Sequence, residues 1–138
     1  MKTILAILQK AGGWHPGLYL KIDNAPYQEL VIEAMDESGP CGLPALSVCR
    51  YREVNGDLMR DPEMYFELGF ACGVHLTVFY YRNDCLGVEQ WSRFIRDGNY
   101  YFHPQWFQQQ EEMAQLWDDA LAQHKFAEAF DPHKHICG

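Results

Sequence analysis

Basic residues are scarce. Lys and Arg number 11 against 19 Asp and Glu, a net charge of −8 in 138 residues. A general nucleic-acid binder needs a Lys/Arg footprint to displace counterions, so this balance argues against direct nucleic-acid binding. It favours solubility and partners with a basic surface. Long apolar runs are missing too, and no stretch is long enough to cross a bilayer. The run Ile4-Leu5-Ala6-Ile7-Leu8 is too short for the apolar core and cleavage site of a secretory leader, and it stops at Gln9-Lys10. The five cysteines have no paired spacing and no Cys-x-x-Cys, the usage of reduced thiols in a cytoplasmic protein. There is no nucleophile elbow, P-loop or dinucleotide-binding glycine fingerprint.

What remains is a globular chain. Hydrophobic residues make up 48% and charged residues 22%, enough for one domain with a real core. The expectation is a single domain over residues 1–130 and a flexible tail over 131–138. Thr3 is a candidate cap for a short helix that places Ile4, Ile7, Leu8 and Ala11 on one face and ends at Gly12-Gly13. From Gly17 the period changes to two. Strands are predicted over residues 17–23, 29–35, 45–54, 57–70 and 74–81. Asn55-Gly56 between the third and fourth is a type I′ hairpin signal. Pro62 cannot donate to a ladder, so the fourth strand must bulge there or lie at an edge.

Residues 86–96 fit either a helix capped by Asp84 or a hairpin turning at Asp97-Gly98 into Tyr100-Tyr101-Phe102; the hairpin is the preferred reading. Pro104 opens a long last helix, with Trp106, Met113, Trp117, Ala120 and Leu121 as its buried stripe and Glu111, Glu112, Asp118 and Asp119 facing water. The fold class is therefore α+β: a single, mainly antiparallel sheet of five to seven strands, flanked by an N-terminal and a long C-terminal helix.

Alternation separates the two faces of that sheet. Leu18, Leu20, Leu30, Ile32, Leu46, Val48, Met64, Phe66, Leu68, Leu76 and Val78 form the face for the helices. Tyr19, Lys21, Glu33, Tyr51, Glu53, Tyr65, Glu67, His75, Phe79 and Tyr81 form the other. An aromatic and charged face is a binding surface if nothing covers it, and an ordinary solvated sheet face otherwise.

Three further groups carry candidate chemistry. Asp57, Asp61 and Glu63 offer oxygen ligands to a hard cation, with Arg60 the nearest base; the plainer reading is turn chemistry in a solvated loop. His133, His135 and Cys137 alternate near the end of the chain, but a structural zinc site closes with four ligands, so a loose tail is preferred. Cys49 shares a parity with His75, which allows a thiol–imidazole dyad, whereas strand cysteines are usually buried and inert.

The stretch Ser47-Val48, Tyr51 and Asn55-Gly56-Asp57-Leu58-Met59-Arg60-Asp61-Pro62-Glu63-Met64 resembles an uncharacterised domain family. So do the hairpin over residues 18–33, Arg82-Asn83-Asp84, Gly87-Val88-Glu89-Gln90 and the helix bearing Trp117. The family comprises small proteins of bacterial plasmids, phages and integrative elements, and occurs as a module in large polyvalent proteins. Arg50 stands where that pattern carries His. The resemblance implies a mobile-element setting and supplies no mechanism.

The leading expectation is a non-catalytic protein-binding module, in its sharper form an inhibitor of host defence machinery of the anti-CRISPR or anti-restriction type. Its contact residues would be Asp57, Arg60, Asp61, Glu63, Tyr19, Tyr51, Tyr65 and Tyr81, with no cofactor and no catalytic residue. The partner would be a host or element protein with a basic surface; a homodimer through the aromatic face is a further option. The alternative is a metal-dependent hydrolase or nuclease using Asp57, Asp61 and Glu63.

Overall fold

Antiparallel pairing in strict chain order builds the sheet. A computed structural model describes residues 1–70 and 73–132. Its strands β1 (Tyr19–Ile22), β2 (Leu30–Ala34), β3 (Ala45–Val54), β4 (Asp57–Gly69), β5 (His75–Asn83) and β6 (Val88–Trp91) each pair with the next. Strands β7 (Arg93–Arg96) and β8 (Asn99–Phe102) form a second, two-stranded sheet. Helix α1 (Lys2–Lys10) precedes the sheet; α2 (Pro104–Gln123) and α3 (Phe126–Ala129) follow it. The architecture is α+β, with one six-stranded antiparallel sheet and a small companion that the expectation of a single sheet did not include. The two-residue turns behave as their sequences require: Asn55 and Gly56 have φ of 52° and 85°, and Asp97 and Gly98 have 51° and 77°. Both pairs suit type I′ turns, whose twist matches that of the flanking strands. Residues 86–96 thus contain no helix. Val88–Trp91 closes the main sheet, and Arg93–Arg96 opens the predicted hairpin.

One face of the sheet is covered by the helices. Ile4, Ile7 and Leu8 of α1, Ala114, Trp117 and Leu121 of α2, and Phe126 of α3 pack on Leu20, Ile22, Leu30, Ile32, Leu46, Val48, Met64, Phe66 and Val78. Alternation had assigned these strand residues to this face, apart from Ile22, which follows the same parity. The stripe of α2 is phased differently from its apolar residues. It consists of Gln110, Ala114, Trp117, Asp118 and Leu121, while Trp106 and Met113 are exposed. Two polar residues displaced them because each has a buried duty. Gln110 Nε2 donates to the Gln90 carbonyl at 3.0 Å. Asp118 Oδ1 accepts from the Thr3 amide at 2.9 Å and so caps α1. Thr3 is therefore the capped residue, and its own side chain makes no cap bond.

Two bulges break the alternation. Cys49 pairs with Glu63 and Tyr51 with Arg60, so Asp61 and Pro62 together oppose Arg50. Pro62 lies in a central strand at a bulge, not at an edge, and the Arg50 Nε donates to the Asp61 carbonyl at 2.7 Å. Further along, Tyr65 pairs with Tyr80 and Phe66 with Val78, which leaves Phe79 as the extra residue of β5. Beyond each bulge the faces exchange.

Among the described residues no helix is long and apolar enough to cross a membrane. His133, His135, Cys137 and most of the predicted tail lie outside the described residues.

Candidate functional site

Register decides which side chains meet on the face away from the helices. Tyr19 pairs with Glu33, Glu33 with Ser47, Ser47 with Tyr65, Tyr65 with Tyr80 and Tyr80 with Trp91. These six residues make one row across all six strands. Directly opposed residues have Cβ atoms roughly 4.5–5.5 Å apart, close enough for neighbouring side chains to touch. Tyr65 stacks on Tyr80 with ring centroids 4.1 Å apart, and Trp91 sits 4.4 Å from Tyr80. The two ends of the row are open, Tyr19 being 54% and Trp91 41% exposed. The Tyr80 hydroxyl donates to Glu89 at 2.5 Å, and Arg82 binds Asp84 at 2.8 Å. The Arg60 amide, and after it Arg82, hold the Asp84 carboxyl below its usual range.

Part of this face is roofed. Glu67, 1% exposed, meets Arg93 of β7 at 2.6 Å. The Glu67 carboxylate also accepts from the Cys41 amide at 2.8 Å. Arg93 in turn donates to the Tyr100 hydroxyl at 3.0 Å and to the Val78 carbonyl at 3.4 Å. One buried ion pair thus pins both the loop over residues 36–44 and the β7–β8 hairpin to the sheet. Between them runs a groove of about 700 Å³ whose walls include Phe79, Trp91, Phe94, Ile95 and Trp106. On β8, Tyr100, Tyr101 and Phe102 are exposed, as are Ile95 and Trp106 of the groove wall.

The predicted contact residues do not all share this face. Tyr19, Tyr51, Arg60, Glu63 and Tyr65 do. Tyr81 does not: the Phe79 bulge turns it into the helix-side core, and Tyr80 takes its place in the row. Asp61 also lies on the opposite side, where it accepts from Asn83 Nδ2 at 2.8 Å and faces Arg52 at 3.6 Å. Asp57 is exposed beside the Asn55-Gly56 turn. The three carboxylates proposed as a cation cluster therefore diverge, and no three His, Cys, Asp or Glu side chains among the described residues come together as metal ligands. Trp91, Phe94 and Tyr80 were missed. Val78-Phe79-Tyr80-Tyr81 has no polar residue to reveal parity, and Trp91 lay in the ambiguous stretch.

The nucleophile candidate Cys49 and the phenols beside it hold their protons tightly. Burial, and next the Glu63 charge, push the Cys49 thiol up to about 12. Burial, and then Glu63, push the Tyr65 phenol up to about 12; burial, and then Cys49, do the same to Tyr51. His75 pairs with Gly69 whereas Cys49 pairs with Glu63, six residues along β4, or roughly 20 Å at the rise of a strand. The dyad does not form.

Glu63 is a half-buried carboxyl of this face. Burial raises its carboxyl above the ordinary value of 4.5, opposed first by Arg60 at 4.0 Å and then by the Tyr65 hydroxyl. A raised folded-state value means that its contribution to stability is whole below about 4.5 and is lost as pH climbs through the folded value. Urea unfolding from pH 4 to 7 should show the wild type losing stability relative to Glu63→Gln as pH rises; parallel curves would contradict this.

A family model described as a domain of unknown function, DUF6908, matches residues 2–127. The chain belongs to the DUF6908 family. The match takes in α1, every strand and all of α2, so the row and the roofing hairpin both lie inside the DUF6908 domain. No curated protein and no solved structure matches the chain.

Proposed function

We propose that this DUF6908 chain is a non-catalytic protein-binding module of a mobile genetic element, acting on a host protein with a basic surface that belongs to defence machinery. The observation that carries the binding reading is the exposed aromatic surface made by the row and the β7–β8 hairpin. Trp91, Ile95, Tyr100, Tyr101, Phe102 and Trp106 are all more than a third exposed. Exposed aromatic patches of this kind mark protein contacts, because Tyr and Trp bring large rigid area at low entropic cost. The acidic balance supports a basic partner through steering and complementarity. The mobile-element setting rests on the family resemblance alone.

The test is capture of host proteins by the tagged full chain, with Tyr19→Ser/Trp91→Ser as the comparison. Tyr19 and Trp91 are the exposed ends of the row; Trp91 also packs on Tyr65, Phe79 and Tyr80, so the variant is compared well below its own melting temperature, as a folded chain. The expected result is a stoichiometric host protein held by the wild type and weakened at least about 30-fold in the variant, the size of a hot-spot loss. Equal retention by both chains would remove this face from the interaction.

A further inference from the structure

The β7–β8 hairpin is a sheet of two strands with four residues each. Every residue of β8 is exposed, and Tyr100, Tyr101 and Phe102 follow one another along it. Successive side chains point to opposite faces, so both faces of this strand are aromatic. A strand apolar on both faces belongs inside a larger sheet, and an isolated pair of strands is marginal in water. We infer that β8 pairs edge to edge with β8 of a second copy of this chain, making one antiparallel sheet of four strands across a two-fold axis. The inference goes beyond the host-protein reading and does not rest on it.

The two edges of the main sheet are guarded. β1 carries Lys21, held by Glu29 at 2.8 Å, and a lysine on an edge deters pairing. β6 is met by α2, whose Gln110 Nε2 donates to the Gln90 carbonyl at 3.0 Å. β8 has no charged residue and no proline. Among the described residues, no main-chain group outside the hairpin bonds to it.

Register follows from the turn. Asp97-Gly98 puts Arg96 opposite Asn99 and Phe94 opposite Tyr101, and the His103 amide donates to the Ser92 carbonyl at 2.8 Å. These alternate pairs exchange the bonds of the hairpin, so the Tyr100 and Phe102 amides and carbonyls point outward. A two-fold axis beside Tyr101 sets Tyr100 of each copy against Phe102 of the other, and four bonds form. An axis at Tyr100 would bring Phe102 against the turn at Gly98. One at Phe102 would bring Tyr100 against Pro104, which has no N–H.

The side chains agree with that register. The two Tyr101 rings face each other at a non-hydrogen-bonded position, the closest pairing in such a sheet. Each already stacks on Phe94 with centroids 5.2 Å apart, so four rings line up across the axis. On the other face each Tyr100 meets a Phe102. No like charges oppose each other in the pairing, although each chain carries −8. Tyr100, Tyr101 and Phe102, flanked by Ile95 and Trp106, are each between 38% and 52% exposed. At roughly 200 Å² for a large side chain they offer about 450 Å² a copy, against about 800 Å² in a standard interface. The dimer is therefore weak and reversible.

Sedimentation velocity of the full chain from about 10 µM to about 1 mM should pass from monomer to dimer. Amide hydrogen exchange at the two ends of that range reads the register. The Tyr100 and Phe102 amides should slow at least about tenfold at the high concentration, while Tyr101, already bonded to β7, stays as it was. Tyr101→Lys puts two cations face to face and should weaken the dimer at least about tenfold, in a variant shown to be folded by its melting curve. A monomer at the highest concentration would overturn the inference. So would a dimer whose Tyr100 and Phe102 amides exchange as in the monomer, because another face would then make the contact. A dimer undiminished in folded Tyr101→Lys would do the same. Tyr19 and Trp91 lie off β8, so each of these results leaves host capture to be decided by its own test.

Discussion

Arg93→Ala is expected to lower the unfolding free energy by about 3–5 kcal/mol, the cost of leaving one partner of a buried ion pair uncompensated. At this chain length that is a fall of roughly 10–15 °C in melting temperature. The effect is large because Glu67 is 1% exposed, in a place where water does not reach it. Losing the guanidinium also strips the Tyr100 hydroxyl and the Val78 carbonyl of a donor. The hairpin then loses its side-chain anchor on the sheet and keeps the Ser92 amide on the Phe79 carbonyl at 3.0 Å. Replacing both partners, as Glu67→Leu/Arg93→Met, should recover most of the loss, since a buried pair exchanged for apolar groups of similar volume is often near neutral. The shortfall should be the bonds that the Cys41 and Leu43 amides make to Glu67 and those that Arg93 makes to the Tyr100 hydroxyl and the Val78 carbonyl. Urea unfolding of the wild type, the single variants and the double variant checks this. An Arg93→Ala loss below about 1 kcal/mol would mean that the pair is open to solvent.

Gly39→Ala is the second change with a large expected effect. A Cβ at position 39 would stand 2.0 Å from the Glu67 Cγ and 2.4 Å from its Cδ. No ordinary adjustment accommodates that. The Glu67 stem is held by Arg93 on one side and by the loop amides on the other, so the loop over residues 36–44 must lift. The cost should reach the upper part of the range of about 1–3 kcal/mol for overpacking a filled site. The lifted loop should also become the first site of limited proteolysis. Position 39 needs glycine for the missing side chain and not for its backbone angle, since its φ lies outside the left-handed region. Gly39→Ala in a Glu67→Ala background should therefore cost only a few tenths of a kcal/mol, because the clashing atoms are gone. Additive losses would mean that the contact is not the cause.

Much of this fold is written locally. The five early strands, the long helix and both I′ turns follow from alternation, Pro104 and the pairs Asn55-Gly56 and Asp97-Gly98. What escaped was anything set by partners distant in the chain. Pro62 announced a bulge, but not that Asp61 and Glu63 would part to opposite faces. Phe79 gave no sign at all, because four apolar residues in a row carry no parity. Gln110 and Asp118 look like solvent-facing residues of α2 until their acceptor and donor, Gln90 and Thr3, are in place. The aromatic face was legible as a composition. Its continuous row depends on the Phe79 bulge, which puts Tyr80 there and removes Tyr81.

The bond from the Thr3 amide to Asp118 also sets an order of events during synthesis. The sheet is vectorial: every strand of β1–β6 pairs with the one made just before it, so the ladder can grow as the chain leaves the ribosome. The first helix cannot keep that pace. Its cap lies 115 residues further on, about 6–23 s away at ordinary elongation rates. Until α2 emerges, Ile4, Ile7 and Leu8 have a sheet to lie on but no lid beside them, and the first part of the domain to be made is among the last to be locked.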